Sequence, residues 1–403
     1  MAPKIRGWLC LLSFSTWLGF AFAVDCTGVK AISPQCNTQE SAYFRDFFYV
    51  GGEYAPAGNT TQSIFSGQMY VEKLTPAKGV TKVHPLVLIS AGVPSGAVWL
   101  NTPDNRKGWA SYFLDCGYQV YIVDITAMGR SSQNDVTKYP MRLGSTDVIH
   151  QNSYTAPEIL NPYPQSQGHT QWPGNGMRGD PIFDAFFAAA LPLTSNATLQ
   201  ETSMRAAGCT LLSLIGRSNI LCHSNGCTYV TLMSDQCPEL VRASFNLEPG
   251  NVPFQSLIGN ATVPAVGRTR SRPYGLTYTP ITYDPPVVNA TTDLHVIEVG
   301  VDTPGHRSCY LQSNSSTIRT LPQIAKVPYV MLTTANSPHI TYDHCFIPFF
   351  EQVDVKDVTW IKFGDLGITG NGHFSFIEKN NLELAAVVEK EIARRDGTGS
   401  GRH

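Results

Sequence analysis

The sequence carries little charge, no excess of either sign and no long apolar run beyond its first two dozen residues. Each shortage removes a class of protein. Charged residues are 15% of 403, with 29 Lys and Arg against 31 Asp and Glu and a formal net charge of −2. That balance lacks the basic footprint of a nucleic-acid binder, so no nucleic-acid partner is expected. A hydrophobic content of 42% excludes a chain too polar to collapse. Mean hydropathy is near zero, and no apolar segment of about 20 residues follows position 25, which argues against stable membrane insertion. Internal repeats and low-complexity tracts are absent. No two cysteine pairs have the spacing of a zinc site, and no metal or organic cofactor is expected. What remains is a globular chain long enough for one large core or two ordinary ones.

The N-terminus reads as a secretory signal peptide over residues 1–23. Lys4 and Arg6 precede a largely apolar stretch from Trp8 to Phe22, and Ala21-Phe22-Ala23 offers the small residues that signal peptidase reads. Five Asn-x-Ser/Thr sequons, at Asn59, Asn196, Asn260, Asn289 and Asn314, fit a glycosylated protein in that route. Cys10 would leave with the signal, and nine cysteines remain, at 26, 36, 116, 209, 222, 227, 237, 309 and 345. An odd number leaves at least one thiol unpaired or paired between chains. Cys26 with Cys36 and Cys309 with Cys345 are expected as disulfides, and Cys222 as a small buried thiol.

Apolar runs alternate with helical stretches, which predicts an α/β architecture with a mainly parallel sheet and helices on both faces. Phe47 to Val50 and Gly67 to Glu72 read as antiparallel edge strands. Pro85-Leu-Val-Leu-Ile-Ser90 reads as a central buried strand, Trp109 to Cys116 as a helix and Tyr118 to Asp124 as the next strand. Further strands are expected at Asn219 to Cys222, Val241 to Leu247, Val327 to Thr333 and Val358 to Phe363. Helices are expected at Phe183 to Ala190, Ser203 to Leu214 and Ile377 to Arg394. Two Pro- and Gly-rich excursions, near 131–180 and 249–288, interrupt the pattern as cap-like insertions. The expected organisation is one domain over 24–395 and a flexible tail over 396–403.

One constellation carries chemistry. Ser224 stands between a predicted strand and a predicted helix in Cys222-His-Ser-Asn-Gly226. Small residues two before and two after a nucleophile relieve a sharp strand-to-helix turn, and Cys222 and Gly226 supply them. A nucleophilic serine needs a base and a carboxylate to orient it, in the chain order serine, acid, histidine. Glu248 ends the next strand, where open α/β sheets build their sites. His373 lies in the loop Gly370-Asn-Gly-His, before the last helix. His223, His339 and His344 are weaker bases, and Asp343 and Asp365 are rival acids. Oxyanion donors are expected from the N–H of Asn225 and from the loop Ala91-Gly92-Val93-Pro94-Ser95-Gly96.

Together these residues resemble the α/β-hydrolase family, in particular the secreted bacterial carboxylic-ester hydrolases of the seven-thirteen type and their fungal relatives. The matching stretches are Thr102-Pro-Asp-Asn-Arg-Lys-Gly-Trp109, Asp124 to Ser131, Tyr154-Thr-Ala-Pro-Glu158 and His169-Thr-Gln-Trp-Pro-Gly174. They continue with Gly179-Asp-Pro-Ile-Phe-Asp184, the serine turn, Leu247-Glu-Pro249, Gly367-Ile-Thr-Gly-Asn-Gly-His373 and Glu378-Lys-Asn380. The resemblance implies a Ser224, Glu248 and His373 triad with the acid after the sixth strand, and oxyanion donors at Gly92 and Asn225. It also points to Val93, His169, Trp172 and Phe374 as pocket lining, with the alternative that His169 and Trp172 fasten the excursion to the core. Ser90-Ala91 and Asn225 depart from the His-Gly and Gln common in that family. The expected activity is hydrolysis of a small ester or lactone. A natural-product enzyme that cyclises, opens an epoxide or rearranges its substrate is the alternative. The sequence leaves a homodimer open.

Overall fold

The computed structural model describes residues 24–90, 95–258 and 267–397. The signal segment, Gly92, Val93 and the sequon at Asn260 lie outside the described residues. Eight strands form the central sheet. They are β1 (Tyr43–Pro56), β2 (Ser63–Pro76), β3 (Leu86–Ile89), β4 (Val120–Val123), β5 (Ser218–His223), β6 (Val241–Leu247), β7 (Tyr329–Thr333) and β8 (Val358–Lys362). Their order across the sheet is β1-β2-β4-β3-β5-β6-β7-β8. β1 and β2 pair antiparallel at one edge, β2 runs antiparallel to β4, and every pair from β4 to β8 is parallel.

The continuous apolar runs are explained by burial on both faces. Along β3, Val87 and Ile89 enter one core while Leu86 and Leu88 enter the other. The same alternation holds in β7, with Tyr329 and Met331 against Val330 and Leu332. Helices α3 (Ala197–Ile215), α4 (Gly226–Gln236) and α5 (Phe346–Gln352) cover the first face. Helices α1 (Trp109–Asp115), α2 (Pro181–Phe187) and α6 (Asn381–Arg395) contribute to the second. Each fully buried Leu, Ile, Val or Phe contributes about 1.5–3 kcal/mol relative to exposure.

Two expectations need correction, the start of the last helix and the state of Cys222. Helix α6 starts at Asn381, not Ile377, because Glu378 and Asn380 turn their side chains onto Asn371 of the histidine loop. Asp396, the first residue of the expected tail, accepts from Asn219 at 3.0 Å and pairs with Arg242 at 3.3 Å. Cys222 is not a thiol but is bridged to Cys227, since the strand-to-helix turn brings their Cα atoms to 5.1 Å. The excursion near 249–288 includes the antiparallel strand pair Gln255–Ile258 with Gly267–Arg270. The expected Cys26–Cys36 and Cys309–Cys345 disulfides are present, a further one joins Cys209 to Cys237, and Cys116 is unpaired. Among the described residues no helix is long and apolar enough to cross a membrane.

Candidate active site

Strand β5 ends at His223, and the chain reverses sharply into α4. Ser224 sits at the reversal with φ of 53°, a left-handed conformation that a residue with a Cβ adopts only under constraint. Its N–H donates to Leu247 O at 3.0 Å, and its carbonyl accepts from Gly250 at 2.9 Å. Two glycines make the close approach possible. A Cβ on Gly226 would lie 2.6 Å from Ser90 O, and one on Gly250 would lie 2.9 Å from Asn225 N. The Cys222–Cys227 bridge, fully buried, ties the strand to the helix across the serine.

The acid follows from the end of β6. Glu248 has φ of 53° and is fully buried. One carboxylate oxygen accepts from the Thr334 N–H at 2.7 Å and from its hydroxyl at 3.0 Å. The other accepts from Ser337 and stands 3.4 Å from His373 Nδ1. Burial, the largest influence, raises this carboxyl to about 7, and Asp343 adds to the rise, while protonated His339 opposes it. A carboxylate can only accept, so Nδ1 of His373 carries the proton and Nε2 is left as the basic nitrogen. Burial, with three neighbouring histidines, holds His373 well below the usual histidine range, which keeps the imidazole neutral.

The loop bearing His373 is knotted from within. Glu378 accepts from the Gly372 N–H at 3.0 Å and from Asn371 at 2.8 Å, and Thr334 donates to Gly372 O at 3.1 Å. Below the ring, His223 Nε2 donates to His373 O at 2.9 Å. Tyr154 and His339 both stack on the imidazole, with ring centroids at 4.7 and 4.9 Å.

Ser224, Asn225 and His373 all line one cavity of about 340 Å³. Three larger cavities, of about 830, 720 and 380 Å³, contain none of these residues, so volume alone would not single out this one. Among the described residues the Asn225 N–H has no partner, and it lies at the start of α4, where helix-end N–H groups favour negative charge. The other expected donor, Gly92, lies outside the described residues. What braces the end of its loop is visible: Asp124, at the end of β4, accepts from the Gly96 N–H at 2.8 Å and is gripped by Arg130 at 2.9 and 3.0 Å.

The remaining candidates divide clearly. His169, Trp172 and Phe374 are not in the cavity lining. Trp172 and Phe374 pack in the core beside Phe186. His169 bridges Glu158 at 2.9 Å and Glu378 at 2.8 Å, fastening the excursion to the histidine loop. Burial opposes its charge, but the two carboxylates outweigh burial and raise it to about 9. Asp365 is exposed and paired with Lys362, and His344 stacks on His306. Asp343 binds His339 at 3.0 Å and Thr333 at 2.6 Å. His339 itself lines the cavity, as do Tyr154, Tyr342, Arg142 and Arg272. Sequence reasoning ranked His339 low and left the other four out. A histidine four residues before an aspartate after a core strand was the one available signal.

The strand order, the turn at Ser224 and the buried carboxylate–imidazole couple at the C-terminal sheet edge define an α/β-hydrolase. No family model matches the chain. A curated protein described as "Probable secreted lipase phiG", from Fungal sp. (strain ATCC 74256), is 37% identical over 342 residues, spanning 85% of this chain and 87% of that one. A solved structure described as a novel bacterial esterase superposes with a TM-score of 0.57 at 17% identity, covering 89% of this chain and 99% of that chain, and supports the fold. The chain belongs to the family of that secreted lipase, on the α/β-hydrolase fold.

Proposed function

We propose that this protein hydrolyses a carboxylic ester or lactone through an acyl-enzyme on Ser224. The serine oxygen attacks the carbonyl carbon while His373 Nε2 takes the hydroxyl proton. Glu248 holds Nδ1–H and stabilises the imidazolium that forms. The tetrahedral oxyanion is held by the N–H of Asn225 and by that of Gly92. Donors of this kind are typically worth about 3–4 kcal/mol each in the transition state. Collapse breaks the ester C–O bond, and His373 returns the proton to the departing alcohol. Water then repeats the sequence on the acyl-enzyme, releasing the acid and regenerating Ser224.

The observation that carries this reading is the convergence on one cavity of a conformationally constrained serine and a neutral histidine backed by a buried glutamate. A fluorophosphonate probe is expected to label Ser224, and Ser224→Ala to lose both label and turnover, the latter by about 10³-fold or more. Folded protein that takes up no label would sink the hydrolase reading.

A further inference from the structure

The active-site cavity has an unusual charge content. Arg142 and Arg272 both line it, and among the described residues no Asp or Glu side chain does. Arg142 is exposed at the rim, where a cation is unremarkable. Arg272 is different: only 5% of its surface is exposed. Its backbone has φ of 51°, and its carbonyl accepts from Gly275, which fixes it in a tight turn. One terminal nitrogen donates to Gln255 O at 2.7 Å, and the guanidinium lies 5.4 Å from the Tyr278 ring. Among the described residues its buried Nε has no hydrogen-bond partner.

The charge of Glu201 acts on it from nearby, but no hydrogen bond joins the two. Glu201 accepts from the N–H groups of Tyr278 and Thr279 and from the Thr279 hydroxyl, at 2.8–3.1 Å. Glu248 and Asp343, also buried, bond to His373 and His339 with Ser337, Thr334 and Thr333. A buried guanidinium with an unused donor is costly unless something completes it. Nε is sealed from the cavity, so the terminal nitrogen that Gln255 does not use is the donor a carboxylate in the cavity can reach.

We infer that the substrate of this site is an ester bearing a free carboxylate, which Arg272 binds from inside the cavity and Arg142 attracts at its mouth. The inference rests on the hydrolase reading above and names its substrate class: a half-ester of a dicarboxylic acid or an equivalent carboxylated ester. Arg272 would then be a specificity-determining residue rather than a participant in bond breaking.

The test compares monoethyl and diethyl esters of dicarboxylic acids of graded length, from succinic to suberic, in a pH-stat. At the best length the half-ester should exceed the diester by about tenfold or more in kcat/KM, chiefly through KM. Arg272→Gln should bring that ratio toward one, and Arg272→Lys should restore part of it. Where turnover of both is undetectable, slowing of fluorophosphonate labelling by adipate, and not by diethyl adipate, reads the same preference. The wild-type comparison needs no variant, so misfolding of a substituted chain leaves the test intact. Labelling of Ser224 without preference for the acid at any length overturns this inference alone. Absence of labelling overturns the hydrolase reading and this one with it.

Discussion

At Ser224 the chain stores strain so that the hydroxyl can leave the sheet. A non-glycine residue at φ of 53° costs of order 1–3 kcal/mol, and the flanking hydrogen bonds, the Cys222–Cys227 bridge and two glycines hold it there. Gly226→Ala would force a Cβ to within 2.6 Å of Ser90 O. We expect a displaced turn, a loss of about 1–3 kcal/mol in stability and labelling of Ser224 slowed by at least about tenfold. Thermal unfolding and labelling kinetics check both. Glu248 gives a pH dependence with a definite sign. Its carboxyl is raised to about 7, and only the ionised form can hold Nδ1–H of His373. kcat/KM should therefore fall as pH drops through about 7. Glu248→Gln should remove that limb and lower turnover by about 10⁴-fold, as expected when the wrong tautomer is favoured. An unchanged profile in the variant would assign the ionisation elsewhere.

At the scale of elements, the excursion near 131–180 acts as a wall of the cavity, contributing Ser153 and Tyr154, and its attachment runs through His169. That histidine is raised from about 6.5 to about 9, so it binds a proton more tightly folded than unfolded. Its stabilisation is present in full below about pH 6.5 and is lost as pH rises through about 9. The thermal midpoint of wild type should exceed that of His169→Asn most at pH 6, by an amount equivalent to roughly 3 kcal/mol, and the gap should close by pH 10. The same two carboxylates explain why His169 was not pocket lining: Glu378 serves the histidine loop on one side and the excursion on the other.

Across the whole molecule, the cysteines report the compartment. Four disulfides and one unpaired thiol account for the nine cysteines beyond the N-terminal segment. Alkylation after denaturation without reductant should mark Cys116 and no other of the nine, as read by peptide mass. Of the sequons, Asn59, Asn289 and Asn314 are exposed, whereas Asn196 is half-buried and caps α3 by accepting from Leu199. Much of this plan was legible. Strands buried on both faces must be continuously apolar, so β3 and β7 could be read directly, and Ser224, Glu248 and His373 each stand at a strand or loop end with its own local signal. Arg272 had none, because what marks it is burial with donors left over, which depends on groups far from it along the chain. The Cys222 pairing was hidden for a related reason: a spacing of five residues bridges only when the backbone turns as sharply as it does at Ser224.

What the sequence determined by itself was the parallel-sheet plan and the secretory character, and it singled out Ser224, Glu248 and His373 as the proposed nucleophile, acid and base, since each depends on periodicity, composition or local turn chemistry. The tertiary structure decided which groups meet. It set His339 and Asp343 beside Glu248 and His373, moved His169 and Trp172 out of the cavity into bracing and packing, and left Arg272 buried with an unused donor. Those outcomes depend on distances between residues far apart in the chain and on the removal of water from charged groups, neither of which local sequence encodes.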